Sequence, residues 1–250
     1  MRILLNISFL FLIFFGNSQV NQLDSLGRKH GVWTKNWKGS NQIQYEGEFI
    51  SGYPVGQFRY YYPSGEVRSI IEHVNDRAAF VTFYFKNREV MSEGFYLDKL
   101  RDSLWLNYDR EGLTLSAERF RNGKLHGKRV VFYLRNQIER GELKILSETT
   151  YKDSLKDGPC RTFFSSEKLK EEGQYKMDLK DGVWKSYSSD GYPITATRFK
   201  RGKLHGWVEF YDSSGNRIDR TLYQNGERLN EKRTKAVLES LKRKGLDPND

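Results

Sequence analysis

Aromatic side chains recur at one phase of this chain from Trp33 to Tyr223, and that period constrains the fold more than any single motif does. The stretch NGKLHG (122–127) returns as RGKLHG (201–206), and the final glycine of such stretches serves as an anchor. Gly31, Gly56, Gly127, Gly158, Gly182 and Gly206 align, with Ala78 and Ser103 filling the gap and Asn230 closing the series. The intervals are 25, 22, 25, 24, 31, 24, 24 and 24 residues, which makes eight units of about 24 over residues 19–230. Five residues after the anchor stand Tyr61, Phe83, Tyr108, Phe132, Phe163, Tyr187 and Tyr211, with Asn36 in the first unit. Two residues after it stand Trp33, Phe58, Phe80, Trp105, Arg129, Cys160, Trp184 and Val208. Seven residues before the next anchor come Phe49, Ile71, Tyr96, Phe120, Tyr151, Tyr175, Phe199 and Tyr223. With aromatics at 14% of the chain, accident does not hold them in register that long.

Each unit reads as two short strands joined by polar turns such as PSGE (63–66), a spacing that signals hairpins. A tight turn of the NGKLHG type then leads to the next unit, so the six anchor glycines are assigned to turns, where backbone freedom is needed. Lys124 and His126 are read as exposed decoration of that turn. The predicted fold is all-β: an elongated array of stacked β-hairpins forming a single twisted antiparallel sheet, with a short C-terminal helix. Anchor positions +2 and +5 differ by three, so a regular strand sends them to opposite faces. Either a bulge intervenes or a single layer carries rings on both faces, and the many tyrosines favour the single layer.

Two stretches carry a family resemblance. YEGEFISGYPVG (45–56) resembles the membrane occupation and recognition nexus (MORN) repeat, with its Tyr-x-Gly-x-aromatic start. GVWKSYSSDG (182–191) followed by RFKRGKLHG (198–206) is similar to the longer MORN-repeat variant common in bacterial proteins. The resemblance runs from about Gly27 to Asn230. It departs in the units near Ala78, Ser103 and Gly127, the last of which carries an insertion at RNQIERGELK (135–144). It implies an elongated, twisted antiparallel sheet that serves as a scaffold or binding surface, not a reaction. Some bacterial variants of this family carry an antitoxin-like label.

The first 18 residues read as a signal peptide: Arg2, an apolar run from Ile3 to Phe15, then small residues at Gly16 and Ser18. Thirteen residues are too few to span a bilayer as a helix. The mature chain is therefore expected to be exported: periplasmic, envelope-associated or secreted. Cys160 is the only cysteine, which excludes an internal disulfide, and it reads as a small hydrophobe in a strand. The formal charge of +10 is spread along the chain in both signs. Export and that spread argue against nucleic acid and towards acidic glycan, anionic lipid or acidic protein. The exception is the tail, 231–250, where Lys232, Arg233, Lys235, Lys242, Arg243 and Lys244 accompany a modest helical stripe of Ala236, Val237, Leu238 and Leu241. This segment is expected to cap the open sheet edge and to offer basic contacts.

Chemistry finds little purchase. NGKLHG lacks the Walker order of glycines, Lys and Ser/Thr, and a strand rather than a helix follows it. His30, His126 and His205 share one column, but His126 and His205 stand six strands apart, about 29 Å, too far to share a zinc ion with bonds of about 2 Å. No catalytic, metal or cofactor site is assigned, and no enzyme activity is expected. The candidate binding-surface aromatics are Trp33, Tyr61, Trp105, Tyr108, Trp184, Tyr187 and Tyr211, residue types favoured as interface anchors. The expected role is an exported interaction scaffold at the cell envelope with a protein partner. Two alternatives stand beside it: a peripheral binder of anionic lipid or glycan, and an antitoxin-like inhibitor.

Overall fold

The structure, a computed structural model, describes residues 19–134, 137 and 143–248. The expected signal peptide and most of the insertion after Leu134 lie outside the described residues. The chain divides into two compact units, one up to Asp76 and one from Arg77 onward.

The first unit contains β1 (Gln22–Leu23), β2 (Lys29–Asn36), β3 (Ile43–Ile50), β4 (Tyr53–Tyr61) and β5 (Val67–His73). The second contains β6 (Ala78–Tyr84), β7 (Val90–Leu97), β8 (Leu100–Tyr108), β9 (Thr114–Arg121), β10 (Lys124–Phe132) and β11 (Ile145–Lys152). It continues through β12 (Leu155–Phe163), β13 (Leu169–Lys176), β14 (Leu179–Tyr187), β15 (Pro193–Lys200), β16 (Lys203–Tyr211) and β17 (Arg217–Gln224). Two further elements close it, β18 (Glu227–Arg228) and the helix α1 (Glu231–Lys244). Within each unit every strand pairs antiparallel with its chain neighbours. Among the described residues the substantial strand contacts are also between chain neighbours, so each unit is one sheet layer. The expected all-β hairpin array is the observed fold.

The anchor glycines are not in the turns. Seven two-residue turns join one repeat to the next, and both residues of each have positive φ: Ser51–Gly52, Asp98–Lys99, Asn122–Gly123, Asp153–Ser154, Met177–Asp178, Arg201–Gly202 and Asn225–Gly226. Positive φ at both positions is the type I′ hairpin, whose twist matches that of the strands. Gly56, Ser103, Gly127, Gly158, Gly182 and Gly206 lie four residues after a turn's second residue, inside the following strand, while Asn230, at the same distance from the last turn, precedes the helix. Between β11 and β12, Tyr151 faces Lys156 and Thr149 faces Cys160, so Asp157, Gly158 and Pro159 stand against Thr150 alone. Gly127, Gly158 and Gly206 are each the centre of such a β-bulge and Gly56 and Gly182 its first residue, and the left-handed φ (121° at Gly158, 101° at Gly127) is the reason for glycine. Ser103 holds the same conformation without being glycine (φ 57°).

The third unit shifts by one residue. Ala79 faces Tyr96 as Gly182 faces Phe199, so Ala79, not Ala78, is the structural anchor. Val81, buried, then takes the +2 place and Tyr84 the +5 place, while Phe83 stacks on Trp105 at 6.5 Å. In the second repeat His73, opposite Gly56, replaces Ile71 in the aromatic column and meets the Phe58 ring edge-on at 5.3 Å. The phase of the third repeat is therefore shifted by one residue from the sequence reading.

Positions +2 and +5 do face opposite sides, and the bulge is present as well. Trp105 packs against Tyr96 (5.1 Å) and Phe120 (6.4 Å) on one face. Tyr108 reaches across the other, where its hydroxyl donates to Glu93 Oε1 at 2.6 Å. We call these the ring face and the glutamate face.

Candidate binding surface

The ring face is built from a pairing of columns. A side chain at +2 sits against the residue nine positions before its anchor, on the preceding strand. Phe58, Trp105 and Trp184 sit against Gly47, Gly94 and Gly173, where any Cβ would fall inside the ring. Elsewhere the pair changes together: Arg129 Nε donates to Glu118 Oε1 at 2.8 Å, and Cys160 meets the Thr149 hydroxyl at 3.5 Å. The two large indoles also donate alike. Trp105 Nε1 bonds the Phe95 carbonyl at 3.0 Å and Trp184 Nε1 the Gln174 carbonyl at 3.1 Å, each next to the seating glycine.

A cation two residues before the anchor covers each tryptophan of this column. Lys29 Nζ lies 4.5 Å from the Trp33 ring, the Arg101 guanidinium 4.4 Å from Trp105, and Lys180 Nζ 3.8 Å from Trp184. Such contacts are worth about 0.5–2 kcal/mol. Trp105 and Trp184 are 0% and 3% exposed. They are core residues held between backbone and cation, and are withdrawn as binding-surface candidates. Trp33 is half-buried, its Nε1 donating to the Gln22 carbonyl at 3.0 Å.

The glutamate face holds the tyrosine candidates. Tyr61 donates to Glu46 Oε1 at 2.5 Å, Tyr108 to Glu93 at 2.6 Å and Tyr187 to Glu172 at 3.0 Å, each tyrosine fifteen residues after its glutamate. Tyr211 instead donates to Glu209 Oε2 at 2.9 Å. Burial first, then the adjacent carboxylate, pushes the Tyr61 hydroxyl up to about 12 and raises Tyr187 and Tyr211 in the same sense. All four tyrosines are half-buried.

The residue before the anchor is not mere decoration. Asp102, Asp181 and His205 accept backbone N–H groups of Asn122 (3.3 Å), Arg201 (3.4 Å) and Asn225 (3.3 Å), the first residue of the next type I′ turn. His126 is half-buried, with Nδ1 3.4 Å from Asp153 Oδ1 in the turn that follows. The alternation of His and Asp in this column follows from what can accept there. Lys124 is exposed.

Helix α1 follows the last hairpin. Asn230 caps it by accepting from the Arg233 N–H, and Gly245 closes it in the left-handed region with φ 65°. Leu222 and Leu229 are buried, and with Val237 and Leu241 they line a shallow hollow of about 110 Å³ between helix and hairpin. Lys232, Arg233, Lys235, Lys242, Arg243 and Lys244 are all exposed; Arg233 reaches Glu227 at 3.5 Å.

A row of exposed leucines also lies on the second unit, unpredicted from sequence. Leu100, Leu155 and Leu179, each three residues before an anchor, are 47%, 44% and 46% exposed. Leu100 and Leu179 lean on Gly123 and Gly202 of the next turn. Their common spacing was readable; their exposure was not, because leucine at a strand start reads as core. Among the described residues no group of three or more His, Cys, Asp or Glu could hold a metal ion, and no helix is long and apolar enough to cross a membrane.

This geometry defines a class: a repeat protein of antiparallel hairpins whose side-chain columns are set by bulge and turn. Two of its hairpins, residues 54–75 and 156–177, match the family model of the MORN repeat variant. The matched segments span β4–β5 and β12–β13. No curated protein matches the chain.

Proposed function

We propose that this protein is an exported, non-enzymatic scaffold at the cell envelope, presenting its repeat surface to a protein partner. The observation that carries the reading is the leucine row, Leu100, Leu155 and Leu179, exposed at one repeat position, with Leu100 and Leu179 resting against turn glycines. Exposed apolar side chains arranged in a row suit an extended partner better than a small molecule, and repeat surfaces are used in that way. Match to the MORN repeat variant supports a binding role. Export rests on the charged and apolar pattern of the first 18 residues.

The test is affinity capture with cross-linking from envelope and culture fractions, followed by titration of the purified partner. Saturable binding that Leu155→Lys with Leu179→Lys weakens supports the scaffold; failure to recover any saturable partner defeats it. An antitoxin-like inhibitor is the special case in which that partner is a toxin. The exposed cations of α1 favour a second reading, attachment to anionic lipid or glycan. Vesicle sedimentation at two salt concentrations separates the two, since attachment by α1 fades as salt rises.

A further inference from the structure

On the glutamate face, each repeat sets the residue after its anchor against one residue of its own second strand. In six of the eight repeats at least one member of that pair is polar or charged, as in Gln57–Glu72 and Leu104–Arg119. Phe80–Phe95 and Trp207–Leu222 alone are apolar on both sides. The two differ in what lies beside them. Leu222 is 3% exposed, at a hollow that it lines together with Leu229 and with Val237 and Leu241 of α1. Phe95, whose ring meets Phe80 at 5.4 Å, is 39% exposed.

The exposed pair begins a wider apolar surface, all of it in the second unit. Tyr96, Arg101 and Trp105 meet one another on the ring face, so strand alternation sends Leu97, Leu100, Leu104 and Leu106 to the face of Phe95. Leu97 stands opposite Leu100 in register, and Leu106 opposite Ala117. Leu97, Leu100 and Leu104 are exposed, while Phe80 and Leu106 are half-buried. Single exposed leucines are ordinary, but a contiguous apolar patch marks a contact site. One side of this patch is basic. Arg119 stands opposite Leu104, and Arg121 and Lys124 flank the next turn. All three are exposed, and among the described residues none has an ion-pair partner. The acids nearby are engaged: Glu93 takes the Tyr108 hydroxyl, Asp98 takes Arg77 at 2.6 Å, and Asp102 accepts the Asn122 N–H at 3.3 Å.

We propose that this patch docks an amphipathic helix of a protein partner, its apolar stripe over Phe95 and Leu104 and its acidic flank on Arg119, Arg121 and Lys124. This rests on the scaffold reading and names the element by which the partner is held. A sheet face that is apolar is stably covered by a helix, and the protein already brings α1 to the other apolar pair. The α1 of a second copy is the wrong occupant: with six Lys/Arg against two Glu, it would meet like charge. A lipid surface is disfavoured as well. The patch runs along strands and its side chains are each less than half exposed, whereas an interfacial anchor reaches about 5–10 Å into the headgroup boundary.

The probe is a labelled peptide of three Glu-Leu-Ala-Glu-Leu-Leu-Ala heptads, whose leucines share one helical face; a second peptide has Lys in place of Glu. Binding to the mature chain is compared for the parent, Phe95→Gln with Leu104→Gln, Arg119→Gln with Arg121→Gln, and Leu155→Gln with Leu179→Gln. Glutamine already stands at each of the patch positions in another repeat, as Gln57, Gln174 and Gln224, so the patch variants should melt as the parent does. The acidic peptide is expected to bind the parent and the lysine peptide not to. Both patch variants should weaken the acidic peptide about tenfold or more, the size of a lost apolar contact or charged hydrogen bond, and the third variant should leave it unchanged. Should the apolar variant melt lower, the arginine variant decides. No binding of the acidic peptide to the parent, or binding undiminished in both patch variants, overturns the proposal. So does a patch that holds phosphatidylglycerol vesicles or a second copy of the chain in place of the peptide. A captured partner that is lost with Leu155→Gln and Leu179→Gln but kept by both patch variants overturns this site and leaves the scaffold reading standing.

Discussion

The indole of Trp184 occupies the space that a side chain at Gly173 would need. Gly94 and Trp105 repeat the relationship, and Gly47 and Phe58 use it with a smaller ring. None of these three glycines has positive φ. Glycine stands there because a ring lies over its backbone.

Gly173→Ala should therefore destabilise the second unit by about 1–3 kcal/mol, the usual cost of overpacking. Urea unfolding followed by tryptophan fluorescence checks it. Gly191→Ala does not serve as a neutral control, because its φ of 97° is itself unfavourable to alanine.

The Glu118–Arg129 pair stands where another unit has Gly173 and Trp184, so it should be replaceable as a pair. Glu118→Gly and Arg129→Trp are each expected to cost about 1–3 kcal/mol, the range for a broken hydrogen bond to a charged group. Together they should cost less than their sum, because the double variant rebuilds the glycine–tryptophan pair. A double-mutant cycle by chemical denaturation measures the coupling; strict additivity would count against it.

Tyr61 gives stability a dependence on alkaline pH. Its hydroxyl is raised from the ordinary tyrosine value of 10.0 to about 12 in the folded protein, first by burial and then by Glu46. The contribution is full below the unfolded value and is lost as pH rises from about 10 to about 12. A pH titration of tyrosinate absorbance should show several late-ionising tyrosines, one of which moves earlier in Glu46→Gln. No movement would assign the whole shift to burial.

Two positive-φ positions carry residues that glycine would suit better: Lys99 in a type I′ turn (φ 65°) and Ser103 at a bulge (φ 57°). Lys99→Gly and Ser103→Gly should each raise stability by about 0.5–1 kcal/mol, as the left-handed strain of an L-residue exceeds the entropic cost of glycine. Thermal melting reads the gain. Asn230→Ala should act oppositely, costing α1 about 1 kcal/mol by loss of its cap, seen as lost helical circular dichroism.

The hairpin array was legible because each bulge, turn and ring must recur for neighbouring strands to pair, and recurrence is a property of sequence. Reading NGKLHG as one turn was half right: Asn122 and Gly123 are the turn, while Gly127 lies within β10. Both glycines have positive φ for different reasons, and sequence does not separate a turn from a bulge four residues on. The third unit was misplaced by one residue because Phe80 and Phe83 fit the aromatic columns as well as Val81 and Tyr84 fit the true ones. Pairing of Ala79 with Tyr96 decides between them.

The sequence by itself determined the period, the all-β class and the columns of rings, since these follow from local spacing. Which rings are core and which are surface was decided only by tertiary structure. Trp184 and Tyr187 are three residues apart and equally aromatic. One is sealed between Gly173 and Lys180, and the other faces Glu172 at the solvent edge. Burial depends on what the neighbouring strands bring alongside, and it is strand register that sets this.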